Sequence, residues 1–190
     1  MGAAADCELI GSGLLGQPVN ALTTMAFVAA GIVILILRPD RAWIGMASIA
    51  TGVGSFLFHG PMTPGSEWAH DVTLAWLLLA VTIDHLPLKS RWAPIGLVVL
   101  GILFAVAPGI ADPVAVALAV LAIASALRQD RSPSTIGALA VLGFAAVIGR
   151  LGATGGPLCD PDSLLQPHGL WHVTAAAALG WWAVTAESVR

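Results

Sequence analysis

Residues 38–91 read RPDRAWIGMASIATGVGSFLFHGPMTPGSEWAHDVTLAWLLLAVTIDHLPLKSR. Two apolar blocks stand out in this stretch, roughly 42–60 and 67–85, each close to the ~20 residues that a helix needs to cross a bilayer. Arg38 and Arg41 precede the first block, and Lys89 and Arg91 follow the second. The connection between the blocks carries no basic residue. A chain that enters a membrane, turns and returns to the same side explains this placement, because Lys and Arg collect in cytoplasmic loops.

Working outward, the same pattern recurs. Further apolar blocks lie at roughly 19–37, 93–107, 110–127, 134–152 and 167–187, within or near the ~17–25 residues expected of spanning helices. The blocks at 93–107 and 110–127 are interrupted by Pro94, Pro108, Asp112 and Pro113, so a re-entrant pair is the alternative there. The expected fold is an all-α bundle of seven transmembrane helices, a single integral membrane domain over 1–190. Connections then alternate between two sides. Arg38, Arg41, Lys89, Arg91, Arg128, Arg131 and Arg190 share one side, and only Arg150 of the eight basic residues falls on the other. The positive-inside rule therefore predicts an N-terminus outside and a C-terminus in the cytoplasm.

Composition points the same way. The chain has 190 residues, of which 57% are hydrophobic and 10% charged, against about 25% charged in soluble domains. No basic n-region precedes the first apolar run, so no cleavable signal peptide is expected. The net charge of −3 and the absence of a basic block outside the inner loops argue against a nucleic-acid partner. Seven Trp and no Tyr are present, and the Trp are read mostly as interface anchors. Both cysteines, Cys7 and Cys159, fall on the outer side, where a disulfide would tie the N-terminal segment to the last helix. Two unpaired thiols are the alternative.

Ionisable groups inside a membrane are costly and mark function by default. Here the polar and ionisable side chains gather toward the outer ends of spans one, two, three and seven: Asn20, Thr23 and Thr24, then Thr51, Ser55 and His59, then Glu67, His70, Asp71 and Thr73, then His168, His172 and Thr174. Thr51, Ser55 and His59 are four apart and line one helix face. His168 and His172, one turn apart, can offer two imidazoles to one ion, and His59 supplies a third nitrogen. Three protein nitrogens with a fourth position left for water is the pattern of catalytic zinc. Asp71 is read as a nearby carboxylate and His70 as a loop-edge residue. His85, beside Asp84 at the inner side, is read as a solvated interface group. Below Ser48 the second span offers few polar groups, which disfavours a transporter.

GVGSFLFHGPMTPGSEWAHD, with Ser55, His59 and Asp71, together with QPHGLWHV, with His168 and His172, resembles the signature of alkaline ceramidases. Their wider superfamily of transmembrane hydrolases includes the progestin and adipoQ receptors. The N-terminal DCE followed by QPVNALTT is similar to the ceramidases' opening segment. The resemblance runs in order through all seven blocks. It implies zinc on His59, His168 and His172, oxyanion stabilisation by Ser55, proton transfer by Asp71, and a Cys7–Cys159 bridge. It implies hydrolysis of a lipid amide such as ceramide, entering from the bilayer. The minimal loops and abundant Ala fit a bacterial member better than a eukaryotic one, and a bacterial member would sit in the plasma (inner) membrane. Ceramidases also bind calcium through an acidic segment here matched by Asp6 and Glu8. Gln17, however, stands where those enzymes carry a span-one Glu, which puts calcium in doubt. The remaining readings are a seven-span receptor or scaffold with structural zinc, and a hydrolase of another lipid amide or ester.

Overall fold

The computed structural model describes residues 2–186; Arg190 lies outside them. Among the described residues the fold is all-α, with seven long helices. They are α1 (Pro18–Leu37), α2 (Ala42–His59), α3 (Ser66–Thr82), α4 (Lys89–Val106), α5 (Ala111–Gln129), α6 (Pro133–Leu151) and α7 (Pro167–Thr185). Single 3-10 turns lie at Ala3–Ala5, Pro39–Arg41 and Pro108–Ile110. Pro opens α1, α6 and α7, where its missing N–H and fixed φ cost nothing. Within α1 the ladder is interrupted at Thr24, whose N–H turns to Ala21 and Leu22 carbonyls.

Helices α1, α2, α4, α5 and α6 are long and apolar enough to cross a membrane. The other two, α3 and α7, carry most of the ionisable residues singled out above. Instead of a re-entrant pair, α4 and α5 are full-length rods of 18 and 19 residues, and Pro94 is accommodated inside the first turns of α4. The helix begins four residues before the expected 93, so Lys89 and Arg91 belong to its first turn.

Large apolar side chains face outward along the bundle: Ile36, Val98, Ile102, Val106, Val120 and Phe144 are all exposed. In water such a continuous apolar surface would drive association; against lipid it is the ordinary exterior. The interior is built from small residues. Gly31 and Gly45 bring α1 and α2 so close that a Cβ on Gly31 would fall 2.5 Å from the Gly45 carbonyl oxygen. Close backbone approach of this kind is how membrane helices gain packing without a hydrophobic driving force.

The end of the bundle opposite the histidines is held by charge. Arg41, 1% exposed, donates from Nε to Asp84 Oδ2 at 2.9 Å and from Nη1 to the Ala183 carbonyl at 2.7 Å. Its guanidinium lies 4.9 Å from the Trp182 ring centroid. Lys89 Nζ reaches Asp84 Oδ1 at 2.8 Å. Arg38 donates to the carbonyls of Ala183, Val184 and Ala186, satisfying the C-terminal end of α7. Trp182 and Trp76, the latter bonded to the Ala93 carbonyl, are therefore core residues rather than interface anchors. His85 is exposed and meets Ser125 Oγ, in line with its reading as an interface group.

Candidate metal centre

Two helices deliver the three histidines. His59 is the last residue of α2, and His168 and His172 occupy the first two turns of α7. One ring nitrogen of each lies within 4.8 Å of the others. Ring centroids stand 5.0 Å apart for His59–His168, 5.3 Å for His59–His172 and 4.5 Å for His168–His172. The predicted trio thus comes together, with His59 fully buried and His172 nearly so.

The second nitrogens decide what the first can do. His59 Nδ1 meets Gln17 Oε1 at 2.7 Å. The Gln17 amide nitrogen donates to the carbonyls of Ala3 and Glu8, so its oxygen must be the acceptor toward His59. His168 Nδ1 faces Asp6 Oδ1 at 3.3 Å. His172 Nδ1 lies 3.2 Å from Thr23 Oγ1, whose own hydrogen is directed to the Val19 and Asn20 carbonyls. In the Gln17 and Thr23 pairs the imidazole is the donor through Nδ1, and Asp6 faces the same nitrogen of His168 as an ion-pair partner. Each Nε2 therefore keeps its lone pair. His59 Nε2 and His168 Nε2 are buried with no hydrogen-bond partner, the arrangement in which outer partners orient metal-ligating imidazoles. The donor set of three neutral imidazoles suits zinc or another borderline divalent ion. Thus the residues present fit a metal, and its identity is left to measurement.

The N-terminal segment is what supplies those partners. Cys7 and Cys159 form a disulfide, with Cα atoms 5.5 Å apart, that pins the segment beside the loop before α7. Cys7 adopts a positive φ of 69° and donates its N–H to Thr154 Oγ1. Glu8 is buried, and its two carboxylate oxygens accept the Val19 and Asn20 N–H groups, each at 2.8 Å. It thus caps α1 in place of Gln17 and puts a negative charge at the helix N-terminus. Asp6 is turned to His168 instead. Burial pushes its carboxyl up to about 6, against the lowering effects of His70 and the N-terminal amine. With Glu8 capping and Asp6 facing an imidazole, the Asp6–Glu8 segment forms no group of three or more close acidic ligands among the described residues.

Ser55 is buried one turn before His59 on the stripe shared with Thr51, and Thr51 Oγ1 donates to the Thr73 carbonyl of α3. Asp71 Oδ1 is paired with His70 Nδ1 at 2.9 Å. His70 is not a loop-edge residue. It lies in the first turns of α3, stacks on Phe58 at 4.9 Å between centroids, and its ring is 6.4 Å from that of His59. The loop-edge reading fails because the helix is already under way at Ser66 and Phe58 of α2 supplies a ring for His70 to stack on. Asp71 also lines a cavity of about 480 Å³ with Glu67, Trp68, Pro108 and Asp112. A second cavity, about 310 Å³ and almost wholly apolar, runs between α3, α5, α6 and α7 past Leu77, Val116, Leu142 and Trp171. Phe27 lines it and presents its ring edgewise to His172, with centroids 6.3 Å apart.

Compared with known proteins, the chain matches no family model and no curated sequence.

Proposed function

We propose that this protein is a seven-span, zinc-dependent hydrolase of a lipid amide, most similar in chemistry to a ceramidase, with its N-terminus and metal centre on the non-cytoplasmic side. The observation that carries the reading is the orientation of three clustered imidazoles, two buried and one half-buried, whose Nδ1 atoms each face a different partner so that Nε2 is free. The resemblance of the Ser55, His59, Asp71, His168 and His172 pattern to alkaline ceramidases supplies the substrate class. Zinc, when bound, would polarise a carbonyl and activate water near neutral pH.

The chain's own residues then have separable tasks. Gln17, Asp6 and Thr23 hold the imidazole rings. Ser55 supplies a hydroxyl near the oxyanion. Asp71 accepts a proton and returns it to the leaving amine; it is paired with His70, whose ring lies 6.4 Å from that of His59. The apolar cavity beside His172 suits an acyl chain. Between Trp171 and Trp182, both of which line it, α7 rises about 16 Å at ~1.5 Å per residue. The polar cavity beside Asp71 gives water and an amine a separate route.

A structural zinc in a receptor or scaffold would call for a fourth protein ligand. The nearest competitors, His70 and Asp71, are engaged with each other, which favours the open site. The test is hydrolysis of ceramides, other N-acyl lipids and lipid esters by zinc-loaded protein in detergent. Fatty acid released by wild type and lost in H172A supports the reading. A folded, zinc-loaded wild type that cleaves none of them would leave a metal-stabilised scaffold as the better account.

A further inference from the structure

Asn20 is fully buried, and neither Oδ1 nor Nδ2 of its side chain has a protein partner. A buried polar group left without a partner is costly, so an orphaned carboxamide calls for a reason. Its direction supplies one. Gly52 and Gly60 at the α2 surface pack against Thr24, Val28 and Ala21 of α1, while Gly169 of α7 packs against Val19 and Thr23. At ~100° per residue these two sets lie about 150° apart around α1, and Asn20 projects near the midline between them. The opposite side of α1, with Leu22 and Met25, is exposed. Along the helix axis Asn20 stands between Gln17, which holds His59, and Thr23, which holds His172. Its carboxamide is thus aimed into the seam where α2 and α7 present the three imidazoles.

We infer that Asn20 is a substrate-contacting residue whose Nδ2 donates a hydrogen bond to the carbonyl oxygen of the scissile amide, opposite the Ser55 hydroxyl, as charge develops on that oxygen. This rests on the hydrolase reading above. A neutral donor in a low-dielectric seam stabilises a developing oxyanion without the desolvation cost of a buried cation. The main-chain N–H of Asn20 is already taken by Glu8, which fixes the residue's backbone while the side chain addresses the site.

The test compares wild type with N20D, which keeps the shape but replaces the donor with an acceptor, and with N20S, which is small and retains a hydroxyl. Zinc content is read first, then the affinity for dodecanoyl hydroxamate, then kcat and KM on the lipid amide cleaved by wild type. We expect about one zinc per chain in all three. The hydroxamate should bind at least tenfold more weakly to N20D, with N20S intermediate. In N20D kcat should fall about 10²–10³-fold with little change in KM, the usual size for one lost oxyanion donor. Unchanged hydroxamate affinity in N20D overturns the inference. So does loss of zinc or of folding in both variants, which would make Asn20 a ligand or a structural residue. A wild type without zinc would instead defeat the hydrolase reading itself.

Discussion

At the scale of single residues, the centre depends as much on what holds the imidazoles as on the imidazoles. Gln17 is the clearest case: its amide is locked by two carbonyls, and its oxygen sets the tautomer of His59. Replacing it with Leu should weaken zinc about 10–100-fold, the usual effect of losing such an outer partner, and Q17E should not restore the affinity, because a carboxylate oxygen would then face the Ala3 and Glu8 carbonyls. A competition titration with a chromophoric chelator measures this. Asp71 should behave oppositely: D71N is expected to keep its zinc and lose about 10²–10⁴-fold in turnover. Full activity in D71N would remove it from the mechanism. The ligands themselves were legible from the i, i+4 spacing and the shared outer end. Gln17, Thr23 and Asp6 were not, because their role comes from a disulfide-pinned segment folding back over the helix ends. No periodicity records that. Gln17 did stand out, but only as a departure from the ceramidase pattern.

At the scale of elements, the bundle is clasped at the end remote from the histidines by a buried ion pair that ties α3 and α7 to the turn before α2. Removing one partner of such a pair leaves an uncompensated charge, so D84A should cost about 3–5 kcal/mol. Lys89 touches the same carboxylate but is 28% exposed, and K89A should cost no more than about 1 kcal/mol. Thermal unfolding in detergent separates the two. If the losses were equal, the Arg41–Asp84 contact would not be the one that matters. The helix positions were legible as apolar blocks to within a few residues. The clasp was not, since Arg41 and Asp84 read as ordinary loop-side charges until α7 brings Trp182 and its terminal carbonyls over them.

At the scale of the whole molecule, chain ends and centre are one unit. The Cys7–Cys159 bridge spans 152 residues of sequence and holds the segment carrying Asp6, Glu8 and Gln17 against α1 and α7. The C7S/C159S variant should lose about 2–4 kcal/mol of stability, and its zinc affinity should fall with it. A stability loss with zinc binding intact would show the bridge to be a staple only. Both cysteines were legible as partners at one end of the bundle from the charge alternation. The exposed aliphatic exterior and glycine-lined interior agree with five helices suited to a membrane, and the two that fall short are the ones whose apolar character is diluted by Glu67, His70, Asp71, His168 and His172.

The most direct measurement is the metal content of detergent-purified wild type beside H168A/H172A, by elemental analysis after zinc is supplied and excess removed. The account predicts about one zinc per wild-type chain and none in the double variant at unchanged helicity. A folded wild type that retains no zinc, or a double variant that retains all of it, would contradict the metal centre.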